Sequence, residues 1–222
     1  MNQITSSLLV LCEGDSDVAF FRKLTKERGI EGFMVVCGRG EDGRCLGESG
    51  FERYLMALRG GAASGPPVRG IVIVRDSDSD AGAAYGSIKR MLKRVPEMPV
   101  PDAPLQTKKA YGMSLGIVLI PGSDRKGNLD TLLLDCLVHD NTEQIVRCAD
   151  EFARCAGAET WSAGHFSKLK LRCILAGITK GNPGMLLPTV LASHDCPFSL
   201  QHAAIDPIAD YLRDFSRAVG TA

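Results

Sequence analysis

Net charge is the first thing the sequence lacks: 26 basic and 26 acidic side chains cancel over 222 residues. With no global field to draw in a polyanion, any nucleic-acid binding has to come from a local patch. Long apolar runs are missing too. The stretch MNQITSSLLVLCEGD carries no basic n-region, and its apolar run is too short for a signal peptide or a membrane span. The eight cysteines include no CxxC pair and no zinc-type spacing. Cys12, Cys37 and Cys173 sit in apolar runs and read as small buried hydrophobes. These absences predict a cytoplasmic protein with reduced thiols and no membrane partner. His139, His165, His194 and His202 are scattered, and only His194 with Cys196 approaches ligand spacing. The glycine-rich stretch GRGEDGRCLGESG, residues 38–50, matches neither GxGxxG nor the phosphate-cradling GxxxxGK followed by Ser or Thr. It reads as a mobile flap whose Arg39 and Arg44 could meet phosphates, or equally as a plain linker.

What is present is a set of short apolar runs that end in acids. Gly70 to Gly82, GIVIVRDSDSDAG, is a buried strand followed by Asp76, Asp78 and Asp80 at alternate positions. In extended chain, residues two apart point the same way, so Asp76 and Asp78 can converge on one ion. Carboxylates that close repel unless a cation offsets them, and hard oxygen ligands suit magnesium or manganese. A second run, Leu8 to Cys12, ends in Glu13 and Gly14, and a helix beginning at Asp15 or Ser16 carries Val18, Phe20, Phe21 and Leu24 at helical spacing. Phe33 to Cys37 is a further strand, 51–58 and 83–94 are helices, and Leu115 to Ile120 is a fourth strand. The segment after it, PGSDRKGN, caps a helix with Asp130 in its first turns. Strands alternating with helices give a small parallel sheet with right-handed crossovers. Residues 1–140 are expected to form this α/β core, and 141–222 a mostly helical extension packed on it. In such a sheet ligands lie beyond the carboxyl ends of the strands, where strand order reverses. Glu13, the aspartates after the third strand, Asp124 and Asp130 all fall on that edge.

The turn LLVLCEGDSD, with Asp17 four residues after Glu13, and the later strand IVIVRDSD together resemble the Toprim domain shared by topoisomerases, primases and the overcoming-lysogenization-defect (OLD) nucleases. Within that superfamily the segments GIVLIPGSDRKGNLDTLLLD and HFSKLKLRCILAG look most like a small, uncharacterised Toprim-like family. The resemblance covers roughly residues 5–180. It implies a metal core of Glu13, Asp76 and Asp78, with Asp17 as a supporting ligand and Asp130 near a second metal. Asp80 leaves the aspartate register open between Asp76/Asp78 and Asp78/Asp80, and the first is preferred because Asp76 directly follows the apolar run. Glu13 could bind metal or act as general base. Lys168, Lys170 and Arg172 are the candidate cations for a phosphoryl transition state; Lys168 and Arg172 share a face on a helix, and all three would on a strand.

Each assignment has a plainer structural reading: acids after strands cap helices and form turns, and KLKLR forms a solvated face. A calcium-binding loop is excluded, because the glycine comes one residue late and Ser87 stands where the bidentate glutamate belongs. A haloacid-dehalogenase phosphatase would carry its paired aspartates after the first strand, not the third. The expectation is thus a magnesium- or manganese-dependent nuclease or related phosphodiester enzyme acting on DNA, RNA or a nucleotide, in phage defence by analogy only. Its alternative is a catalytically silent module that binds metal and nucleotide and partners a separate ATPase. A homodimer is a further partner expectation.

Overall fold

The computed structural model describes residues 3–61, 65–138, 142–179 and 181–220. Among them run β1 (Leu8–Cys12), α1 (Asp15–Glu27), β2 (Phe33–Cys37), α2 (Glu48–Arg59), β3 (Gly70–Asp76), α3 (Ala81–Leu92), β4 (Thr107–Ala110), β5 (Met113–Ile120), α4 (Leu129–Asp135), α5 (Glu143–Cys155), α6 (Ala163–Ile178), α7 (Leu187–Ala192) and α8 (Asp206–Gly220). The five strands form one sheet in the order β2-β1-β3-β5-β4. All neighbours are parallel except β4, which runs antiparallel to β5. This is the expected α/β architecture with a helical C-terminal part. His139 and the boundary expected near residues 140 and 141 lie outside the described residues.

Strand alternation sorts the side chains into two cores. From β1, Leu8, Val10 and Cys12 join the cluster on one face, while Leu9 and Leu11 join the other. The second face is covered by α2 and α3 through Phe51, Leu55, Ile88 and Leu92. The first carries α1 and α4 and also the C-terminal helices, through Leu171 and Ile174 of α6, Leu191 of α7 and Leu212 and Phe215 of α8. The C-terminal part therefore shares one apolar core with the sheet.

β4 was not among the expected strands. Its sequence TKKA is exposed and offers no apolar alternation, so only pairing with β5 makes it a strand. Lysines on such an edge discourage further strand pairing.

Helix α8 is held along its length. Asp206 pairs with Arg28 at 2.8 Å, the Ser216 hydroxyl donates to the Glu31 carbonyl at 2.9 Å, and the Tyr211 hydroxyl lies 3.2 Å from the Gln106 carbonyl. Tyr211 reaches that carbonyl only because residue 116 of β5 is glycine: a Cβ there would lie 1.8 Å from the Tyr211 hydroxyl oxygen. Gly116→Ala should therefore lower stability by about 1–3 kcal/mol through overpacking. Chemical denaturation should show this as a lower midpoint.

The cysteines depart from expectation at one pair. Cys37, at the end of β2, forms a disulfide with Cys45, eight residues on. It is buried as expected, but it is not a free thiol. The intervening loop is closed further by the Leu46 amide on the Gly38 carbonyl (2.8 Å) and the Gly40 amide on the Arg44 carbonyl (2.9 Å). The glycines that suggested mobility instead allow a compact, bonded turn. Cys12 and Cys136 are free and buried.

Candidate functional site

The chain passes from β1 outward to β2 and then returns to place β3 on the other side of β1, so strand order reverses between β1 and β3. Glu13 follows β1 and Asp76 ends β3, and the two meet across this gap: the Asp76 backbone N–H donates to Glu13 Oε2 at 3.2 Å. Asp17 lies one turn into α1, where its Oδ2 accepts the Gly14 N–H at 2.8 Å, an N-terminal capping contact that also turns the carboxylate toward Glu13. Asp76 Oδ1 accepts the N–H of Leu129, the first residue of α4, at 3.1 Å. A helix N-terminus favours such an anion.

Helix α4 is itself aimed by its cap. Asn128 Oδ1 accepts the Thr131 N–H at 3.2 Å, and the Thr131 hydroxyl reaches Ser167 of α6 at 2.9 Å. The Asn128 side-chain amide donates to the Gly164 carbonyl. These bonds set α6 beside α4, so that Lys168 and Arg172 share its inward face with Asp130 opposite. The result is a cleft of roughly 690 Å³. Glu13, Asp17, Asp76 and Asp130 line it, with Lys168 and Arg172 on α6 and a wall of Pro183, Met185 and Leu186.

The electrostatics follow from burial. Asp17 is pushed up to about 7, first by desolvation and then by the charges of Glu13 and Asp130, against the Gly14 hydrogen bond. Asp76 is pushed up to about 8 by desolvation and by Asp17, Glu13 and Asp78. Burial also raises Glu13, which the Asp76 N–H and the Arg75 charge partly offset. Asp130 is raised by burial too, against the attraction of Lys168 and Arg172. Arg75 alternates to the opposite face of β3, where it pairs with Glu48 at the start of α2 (2.5 Å).

The other expected site residues lie elsewhere. Asp78 is exposed and left-handed (φ 51°), so the alternate-residue geometry ends at Ser77. Its backbone pairs twice with Gly127, at 2.8 and 2.7 Å, and its carboxylate does not line the cleft, although its charge reaches Glu13 and Asp76. Asp80 caps α3 by accepting the Ala83 N–H at 2.9 Å. Lys170 pairs with Asp150 of α5 at 2.6 Å, on the far side of α6. Asp124 is exposed and outside the cleft. Two contributors were not expected. Asp15 lines the cleft, and the wall at 183–188 has no signal beyond its two flanking prolines.

The donor set suits a hard divalent cation, since buried carboxyls that resist joint ionisation are what such an ion relieves. Among the described residues these carboxylates do not form a trio with oxygens within 4.8 Å of one another. As they stand, no three of them reach one ion directly, so an ion held between them would be met partly through water. Asp15, Cys37 and Cys45 do lie that close, but the two sulfurs are bonded to each other and offer no thiolate.

The family model described as "Protein of unknown function (DUF3226)" matches residues 7–217. The chain belongs to that family. Among solved structures it is similar to the C-terminal region of the OLD protein of Xanthomonas campestris pv. campestris, with 16% identity, 97% of each chain covered and a TM-score of 0.47. No curated protein matches the sequence significantly. Among the described residues no helix is long and apolar enough to cross a membrane.

The raised carboxyls fix a pH dependence. Asp17 and Asp76 keep protons in the folded chain that the unfolded chain releases near 3.8, so the native state binds more protons between that value and about 8. Stability must then fall as pH rises through this window. The melting temperature of metal-free protein should drop between about pH 5 and about pH 8, and magnesium or manganese should restore it at the alkaline end. Asp76→Asn should flatten the trend. Differential scanning calorimetry across pH would check both.

Proposed function

We propose that this cleft is the centre of a Toprim-like, divalent-metal-dependent phosphodiester hydrolase, a nuclease. One observation carries the reading: Glu13, Asp17, Asp76 and Asp130 converge at the strand-order reversal, facing Lys168 and Arg172 across a single cleft. Acids on one wall and cations on the other suit a phosphate held between metal and protein. The turn-and-strand motifs around Glu13 and Asp76 support the same assignment.

Glu13, Asp17, Asp76 and Asp130 would hold magnesium or manganese. When bound, the ion neutralises charge on the phosphate and makes a coordinated water more acidic. Glu13 keeps one oxygen engaged by the Asp76 N–H, which orients the carboxylate and leaves Oε1 to take an ion or a proton from water. The Asp76 carboxyl is oriented in the same way by the Leu129 N–H. Lys168 and Arg172, one helical turn apart, place positive charge where a phosphate gains negative charge. Met185 and Leu186 give the cleft an apolar side against which a base or sugar can rest.

Supercoiled plasmid and single-stranded RNA incubated with magnesium or manganese test the assignment. Wild-type protein should cut at least one of them, and Glu13→Gln or Asp76→Asn should each reduce cutting by on the order of 10²-fold or more. Lys168→Ala should cost on the order of 10²-fold. Manganese binding by calorimetry, with no cutting by wild type, would favour a silent metal-binding module that works with a partner ATPase.

A further inference from the structure

A second groove, of roughly 510 Å³, runs between α1 and α7 and meets the acidic cleft at Asp15, which lines both. Its two walls differ in chemistry. The α1 side and the neighbouring loop supply Arg22, Lys23, Lys26 and Arg39 against the acids Asp15 and Glu27. The α7 side supplies Pro188 and Ala192, with Leu191 buried behind them.

Two of the four cations are matched: Arg39 pairs with Asp15 at 3.0 Å and Lys23 with Glu27 at 3.1 Å. Arg22 and Lys26 have no carboxylate partner among the described residues, and both are exposed. Four residues apart, they stand one above the other on a single face of α1. The groove thus carries a net positive charge in a chain whose total is zero. From Asp15 to Lys26 the helix rises about 16 Å, longer than a single nucleotide requires.

Resting on the hydrolase reading above, we infer that this groove is the track for one polynucleotide strand leading into the acidic cleft. Phosphates lie along the α1 cations, and bases and sugars lie against the apolar α7 wall, continuing onto the exposed Leu186 at the cleft. A duplex would present phosphates on both sides and has no base faces to give an apolar wall. The amphipathic groove therefore selects a single strand.

Fluorescence anisotropy of fluorescein-labelled oligothymidylate, with its duplex with oligoadenylate as comparison, tests this. Wild-type protein should bind the single strand more tightly than the duplex. The double variant Arg22→Gln/Lys26→Gln should bind it roughly tenfold more weakly, with a salt dependence shallower by about 1.4 in log–log slope, two phosphate contacts having been lost. Leu186→Ala should weaken binding with the slope unchanged, the mark of a lost apolar contact. Equal affinity and slope in wild type and the double variant would overturn the track, as would preference for the duplex. Wild-type protein that hydrolyses bis(p-nitrophenyl) phosphate with manganese but binds no oligonucleotide would also overturn it, while leaving the hydrolase reading in place. Absence of both activities would remove the two together.

Discussion

The hydrogen bond from the Asp76 backbone to the Glu13 carboxylate ties the two central strands together where their paths diverge. Parallel strands leave their last amides without partners in the ladder, and here one of those amides is satisfied by the acid that ends the neighbouring strand. The same arrangement commits Glu13 to the gap between β1 and β3, beside Asp76. Once both carboxyls are there, α1 and α4 have to begin there too, because their N-terminal amides are the nearest donors. For α4 that donor is the Leu129 amide, on Asp76; at α1 the Gly14 amide is taken by Asp17, which adds a further carboxylate to the gap. The crowding of acids in the cleft thus follows from how the sheet is stitched.

A second constraint fixes which aspartate faces inward. The paired bonds between Asp78 and Gly127 pull the chain out of extended geometry just after Asp76. Gly127 has φ 129°, and a Cβ there would come within 2.3 Å of the Thr131 hydroxyl that links α4 to α6. One small residue thus lets the aspartate turn, the α4 cap and the α6 contact share the same space. The cations on α6 depend on it indirectly, because Thr131 positions Ser167 one residue before Lys168.

The parts of this arrangement that could be read from sequence are those set by local geometry. Apolar runs ending in acids placed Glu13 and Asp76, and first-turn positions placed Asp17 and Asp130. Helical spacing paired Lys168 with Arg172. Alternation misled at Asp78, because a left-handed residue breaks the period of two, and Asp80 is occupied by its own helix. Lys170 shares the KLKLR run but turns to Asp150, a partner no spacing rule names. The wall at 183–188, strand β4 and the Cys37–Cys45 bond all depend on segments brought together by the whole fold. Their residue types carry no periodic signal.

The position of α8 bears on how the chain reaches this state. Its anchors join residues 178, 185 and 105 positions apart, so its docking needs elements from both the start and the middle of the chain. Contacts of such long range slow folding, because the loop entropy is lost before the contact forms. Until then the face of β1 and β3 that receives Phe215 presents Leu8, Val10 and Val72 without their final cover. During synthesis the half-made protein therefore carries its acidic strand ends on an open apolar sheet. The hazard for such a chain is association with another unfinished copy, and the helix that removes it follows every strand it covers.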